Sequence, residues 1–277
     1  MTYAALMVYV DIREDAPARI KFAGNLAEAC GATLIGIGGN LPEMPSVDPY
    51  GMGAMVGELM TLEHDRAESA LHDAEHKFQE LVEGKPFKSE WRGALAYPGS
   101  LITRESRAAD LLILGREAGP TYPYNEPNIG DILLTSGRPL LIVPQGLEKA
   151  PVGGTVIVAW KETKESRRAT HDALPLLQQN SETIVVELTE KDNIDEAKRQ
   201  TEDVVTFLGR HKVKATAYTE ILGEKSAPER LQEIAREKGA HLIVMGGYGH
   251  ARLREWTFGG VTRDLLRTCP IPIFLAH

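Results

Sequence analysis

The stretch "LMVYVDIREDAPARIKFAGNLAEACGATLIGIGG" (residues 6–39) lies over "VIVAWKETKESRRATHDALPLLQQNSETIVVELT" (residues 156–189) without a gap. Both hold a short apolar run, a polar turn, a helical pattern and a second apolar run. The correspondence continues outward. "ADLLILG" (109–115) matches "AHLIVMG" (240–246), and the halves close with "RPLLIVP" (138–144) and "IPIFLAH" (271–277). A repeat on this scale is one folding unit used twice. Between the copies, "QGLEKAPVGG" (145–154) has the glycine, proline and polar character of a linker. Two domains are expected, residues 1–147 and 152–277.

Runs such as "TVIVAW" and "HLIVMG" are apolar throughout rather than alternating. That marks strands buried on both faces of a parallel sheet. Between the runs, apolar residues recur at spacings of three and four. Leu71, Ala74, Phe78 and Leu81 do so in the first half, and Val204, Val205 and Leu208 in the second. Alternating strands and helices predict an α/β fold with right-handed crossovers, five strands and four helices per half. Each half is long enough to bury its own core. One segment breaks the symmetry. "NLPEMPSVDPYGMGAMVGELM" (40–60) stands where the second half has only "EKDNID" (190–195). Its prolines, glycines and methionines read as a loop with one loose helical turn, serving as padding or interface. A methionine-rich lid over a pocket is the alternative.

The chain has 277 residues, 43% of them hydrophobic and 25% charged, with a net charge of -8. An acidic balance argues against bulk binding of nucleic acid, whose affinity comes from Lys and Arg on phosphates. No apolar stretch approaches the ~18–20 residues of a membrane span. The opening "MTYAALMVYVDIRED" has no basic segment before its apolar run. Cys30 and Cys269 are too few for a disulfide framework and read as packing residues. A cytoplasmic location is expected, with neither membrane nor nucleic acid as partner.

A glycine pattern follows the fourth strand of the second half. Gly246-x2-Gly249-x9-Gly259-Gly260 leads into "VTRDLLRT" (261–268), a helical pattern. Open parallel sheets take ligands at the carboxyl ends of their strands. Glycine allows close backbone approach, and a helix start behind it adds aligned N–H groups and partial positive charge. The spacing is neither Walker A nor GxGxxG. His250, Arg252, Arg254 and Arg263 add positive charge there. The first half has instead "GREAGPTYPYNEPNIGD" (115–131), in which only Gly115 aligns. Glu126 and Pro127 fall opposite Gly259 and Gly260, and Glu117, Glu126 and Asp131 outnumber Arg116. Proline removes a donor and glutamate repels an anion. Anion binding is expected only in the second half, where the loop is either a cradle or a remnant kept for folding.

This pattern after an "LIVMG" strand, closed by a short terminal strand, resembles the universal stress protein family over the whole chain, as two units in tandem. The resemblance implies Rossmann-like sheets of the adenine nucleotide alpha hydrolase type, doubly wound and pseudo-dimeric. It implies a stress-response binding protein without a fixed enzymatic reaction, with units paired into dimers. In one branch it implies an ATP ligand, with magnesium. Carried over position by position, the ligand contacts are Met245, Gly246, Gly249, Arg252, Gly259, Gly260 and Val261. The family's hydroxyl residue after the third glycine is replaced by Gly260. Its nucleoside-holding carboxylate matches Asp11 in the first half but is Lys161 in the second. An ammonium accepts no hydrogen bond from ribose, although it can contact phosphate. The terminal strands "LLIVP" and "IFLAH" are the natural pairing edges, within the chain or between two chains.

Other constellations read as ordinary surface or core. "HDAEH" (72–76) fits an inverted zinc-protease pattern, yet no third ligand accompanies it, so no metal site is expected. Ser100 and Ser136 have no base and orienter nearby in sequence, and no catalytic residue is assigned. Glu162 and Glu165 read as solvated charge at a helix start. Trp160 reads as a core or rim packer, with adenine stacking as the sharper option; Trp256 reads as buried rather than as a ligand cover. Two rivals stand beside the binding protein: a ligand-free interaction scaffold, and a weak ATP-hydrolysing enzyme. The second rival needs a carboxylate to hold metal near the phosphates, and none is well placed.

Overall fold

The computed structural model describes residues 2–11, 15–42, 53–116, 126–247 and 260–277. The first half runs β1 (Ala5–Tyr9), α1 (Ala16–Cys30), β2 (Thr33–Gly39), α2 (Gly53–Val82), β3 (Ser89–Ala94), α3 (Pro98–Glu105), β4 (Leu111–Gly115), α4 (Ile129–Thr135) and β5 (Leu140–Val143). The second half runs β6 (Thr155–Ala159), α5 (Lys164–Asp172), α6 (Leu174–Leu177), β7 (Glu182–Thr189), α7 (Ile194–Arg210), β8 (Ala215–Ile221), α8 (Ala227–Glu237), β9 (Ala240–Gly246), α9 (Gly260–Thr268) and β10 (Ile273–Ala276). All ten strands lie in one sheet, in the order β3-β2-β1-β4-β5-β10-β9-β6-β7-β8. Within each half the neighbours are parallel. The halves meet where β5 and β10 pair antiparallel, Leu141 opposite Phe274.

The continuous apolar runs become strands because both faces of the sheet are covered. Successive side chains point to opposite faces. Leu6, Val8, Leu34, Leu111, Val158 and Phe274 pack in one layer, with residues of α1, α2, α5, α6 and α7. Met7, Ile35, Leu112, Ile157, Ile243 and Leu275 pack in the other, with α3, α4, α8 and α9. The helical spacing read from sequence is the buried face of α2 and α7. Ala74 and Phe78 are buried on the first, Val204 and Leu208 on the second. Local signals set the ends. α1 opens with proline in its first turn and closes on Gly31, whose φ of 65° is left-handed. α8 opens on a capping box between Ser226 and Glu229.

Residues 53–60 depart from the loop expected there. Gly53–Met60 are the first turns of α2, a helix of 30 residues. Alanine, methionine, leucine and glutamate are strong helix formers, and here they outweigh Gly53 and Gly57. Residues 43–52, on which the lid reading also depends, lie outside the described residues. The linker is tied down rather than free. Glu148 bonds to α1 through Lys21 at 2.8 Å, and its carbonyl accepts from Asn25 at 3.0 Å. Among the described residues no helix is long and apolar enough to cross a membrane.

Candidate functional site

The carboxyl ends of β6 and β9 meet at the point where strand order reverses in the second half. β9 ends at Gly246. A Cβ on Gly246 would lie 2.6 Å from the Glu165 carbonyl carbon and from the Ser166 nitrogen. Backbone cannot yield as a side-chain tip can, so glycine is required for α5 to approach β9. Gly247 has a different neighbour. A Cβ there would lie 2.5 Å from Leu133 Cδ2, on α4 of the first half. The Gly247 N–H donates to the Ala276 carbonyl at 2.9 Å, and its own carbonyl lies 3.1 Å from His277 Nδ1. Packing between elements thus accounts for the two glycines that open the motif.

Of the positions carried over from the family pattern, Met245 turns its side chain into the core and is 7% exposed. Only its backbone can face a ligand. Gly249, Arg252 and Gly259 lie outside the described residues, as do His250, Arg254 and Trp256. Gly260 and Val261 open α9 and are exposed, Val261 at 42%. Among the described residues no heavy atom stands within 4 Å of the place a Cβ on Gly260 would take.

α5 starts just after β6 and also points its amino end toward this crevice. Thr163 caps it, its hydroxyl accepting from the Ser166 N–H at 3.2 Å. Glu165, expected to be solvated, is buried. Burial raises its carboxyl, but its own backbone N–H, Thr163 and Lys164 together hold it below the usual range. The positive end of α5 is thereby neutralised by the chain's own carboxylate. Lys161 is exposed at the end of β6.

Trp160 packs in the core layer at 9% exposure, as a core residue. Its backbone N–H donates to the Val186 carbonyl at 2.8 Å. Ala159 pairs with Val186, so Trp160 and Glu187 are the next positions along and share a face. Glu187 is buried. Among the described residues, Trp160 Nε1 and Glu187 Oε2 are buried without a hydrogen-bond partner. Burial pushes the Glu187 carboxyl up to about 7; the nearby Glu196 adds to the rise and Lys161 opposes it. Sequence reasoning did not single out Glu187. Its signal is a lone acid inside the apolar strand "TIVVELT".

The first half is built differently at the same place. Arg19 is 2% exposed. Its Nη2 lies 3.1 Å from Asp11 Oδ2, its Nη1 3.3 Å from Asp15 Oδ2, and its Nε donates to the Tyr9 carbonyl at 2.9 Å. A Cβ on Gly115 would collide with the guanidinium. Asp11, matched to the family's nucleoside-holding carboxylate, is thus engaged in an ion pair, and the space over Gly115 is filled. In the aligned stretch the residue opposite Arg19 is Ala169.

Arg116, read from sequence as the counter-charge of the first loop, reaches the other half instead. Its Nη1 donates to the Arg267 carbonyl at 3.1 Å, and its Nη2 to the Cys269 carbonyl, at the carboxyl end of α9. His72 and His76 are exposed on α2. Among the described residues no group of three His, Cys, Asp or Glu is placed to hold a metal ion.

Residues 154–277 match the family model described as Universal stress protein family. No curated protein matches the chain. Among solved structures, a universal stress protein from Archaeoglobus fulgidus DSM 4304 superposes with a TM-score of 0.69 at 15% identity, covering 98% of this chain and 97% of that one. A functionally unknown protein from Pseudomonas aeruginosa PAO1 gives 0.60 at 15% identity, covering 99% and 92%. A putative universal stress protein from Pseudomonas aeruginosa UCBPP-PA14 gives 0.59 at 14% identity, covering 99% and 93%. At these identities the likeness establishes the fold, and it does so across both halves. The second half, residues 154–277, thus matches the universal stress protein family model, and the fold of solved universal stress proteins extends over both halves.

Proposed function

We propose that this chain is a cytoplasmic stress-response binding protein of two units, residues 1–147 and 152–277, of which only the second takes a ligand. The ligand is phosphate-bearing, with ATP or AMP first in line. Its phosphates rest at the amino end of α9, on Gly260 and Val261, with Lys161 across the crevice. Gly249, Arg252 and Gly259 belong to this reading on their sequence alone. Magnesium arrives with the triphosphate, because Glu165, the buried carboxylate beside the crevice, is already held by Thr163, Lys164 and its own N–H. No residue is assigned a catalytic role.

One contrast carries the reading. Among the described residues nothing stands within 4 Å of a Cβ placed on Gly260 at the amino end of α9, whereas in the first half Arg19 occupies the space over Gly115 and is paired with Asp11. The test starts with the purified protein. Denaturation should release a nucleotide detectable by mass spectrometry, and calorimetric titration with ATP or AMP should give one site per chain. Gly260→Asp puts a carboxylate at the start of α9, where there is room for it and where it favours the helix. Nucleotide affinity should fall at least about tenfold from charge repulsion at close range. Unchanged affinity in that variant would overturn the assignment.

A second reading has its own observation. Gly246 and Gly247 are accounted for by α5 and Leu133, which is what a loop retained for folding would show. If no nucleotide binds at millimolar concentration, the chain is an interaction scaffold. Hydrolysis of ATP with magnesium, abolished by Gly260→Asp, would move it to the enzymes.

A further inference from the structure

We infer that the first half acts on the second as a clamp, with Arg116 as the positioning residue for α9 and Leu133 packed against the end of β9. The last carbonyls of a helix have no partner within it, and its carboxyl end is partly negative. Arg116 comes from the other half and donates to two carbonyls there, those of Arg267 and Cys269. Burial pulls its pKa below the usual arginine range, and Cys269 acts the other way. A partly buried guanidinium persists there because those carbonyls replace the lost water. The end of β9 is held as well. Gly247 packs on Leu133, which is buried, and is fixed by Ala276 and His277.

The two contacts are one contact made in both directions. Gly115 matches Gly246, so Arg116 matches Gly247, and α4 matches α9. In each half the residue after the strand-final glycine touches the last helix of the other half. One side uses a charged side chain at a helix end. The other uses bare backbone against Leu133. With its own crevice filled by Arg19, the first half keeps this task. A ligand at the amino end of α9 would feel the clamp along the helix; that part of the inference rests on the function proposed above.

Amide hydrogen exchange on the full chain tests the clamp without any ligand. Arg116→Ala should raise exchange in α9 at least about tenfold, the loss expected for hydrogen bonds from a charged donor. β1, β4 and the other first-half strands should stay unchanged. Arg116→Lys, which keeps charge but loses the fork, should fall between. Should Arg116→Ala fail to fold, Arg116→Lys carries the same comparison. Exchange in α9 that does not move, or that rises equally in all strands, overturns the clamp. Nucleotide affinity is measured in parallel. Faster exchange in α9 with no nucleotide bound by the wild type upholds the clamp and removes the proposed function. Nucleotide bound by the wild type with α9 unmoved in every variant does the reverse.

Discussion

Arg19 sits between two carboxylates and a carbonyl, nearly sealed from water. Removing one member of such a group leaves the others buried and uncompensated, which is where buried ion pairs have their largest effect. Arg19→Met should destabilise the chain by about 3–5 kcal/mol in urea unfolding. It should not create a nucleotide site, because Asp11 and Asp15 would then face the phosphates. Glu187 gives a prediction of opposite character. Its carboxyl is raised from 4.5 to about 7 in the folded chain. The folded state therefore binds a proton that the unfolded state releases, and stability falls as pH rises from about 4.5 to about 7. The most this group can contribute is about 3 kcal/mol. Glu187→Gln stays uncharged and should flatten that part of the stability profile. A wild-type profile that rises between pH 5 and 7, with the variant parallel to it, would contradict the assignment. Neither residue was legible beforehand. Asp11 reads from sequence as the match to a nucleoside-holding carboxylate, Asp15 and Arg19 belong to no motif, and only the fold brings Gly115 against the guanidinium.

Elements explain why members of one glycine motif differ. Gly246 ends a strand against the backbone of α5, and Gly260 begins a helix with no described residue within 4 Å of a Cβ placed there. Gly246→Ala should cost several kcal/mol, since overpacking against backbone cannot relax locally. Gly260→Ala should stabilise by roughly 0.5–1 kcal/mol through helix propensity. Denaturant midpoints of the two variants give the comparison, and equal shifts would mean the two glycines share a single role. The spacing of the motif was readable in the sequence, but the reason for each glycine was not. Leu133 lies more than a hundred positions from Gly247, and such a partner leaves no local trace. α2 shows the opposite failure. Prolines and glycines near residue 50 suggested a loop, while the composition after Gly53 already favoured helix.

At the scale of the molecule, the two copies share one sheet because β5 and β10 would otherwise be bare edges. This much was legible. The terminal strands are short, apolar and last in each repeat, so they fall at the edges that remain unpaired. The core layers also run across the junction, with Leu141, Val143, Val158, Val244 and Phe274 in the same cluster. A core shared in this way couples the halves thermodynamically. Heating the wild type should give a single calorimetric transition, with van't Hoff and calorimetric enthalpies in agreement. Phe274 is fully buried and paired with Leu141 on one side and Val244 on the other. Phe274→Ala opens a cavity at the seam and should cost about 3–5 kcal/mol. The loss falls on the junction rather than on the interior of either half, so the single transition should broaden or divide in two. If the wild type already melts in two steps, the halves are independent and no clamp could act between them. If the variant melts in one sharp step at a lower temperature, the seam is part of a core that folds only as a whole.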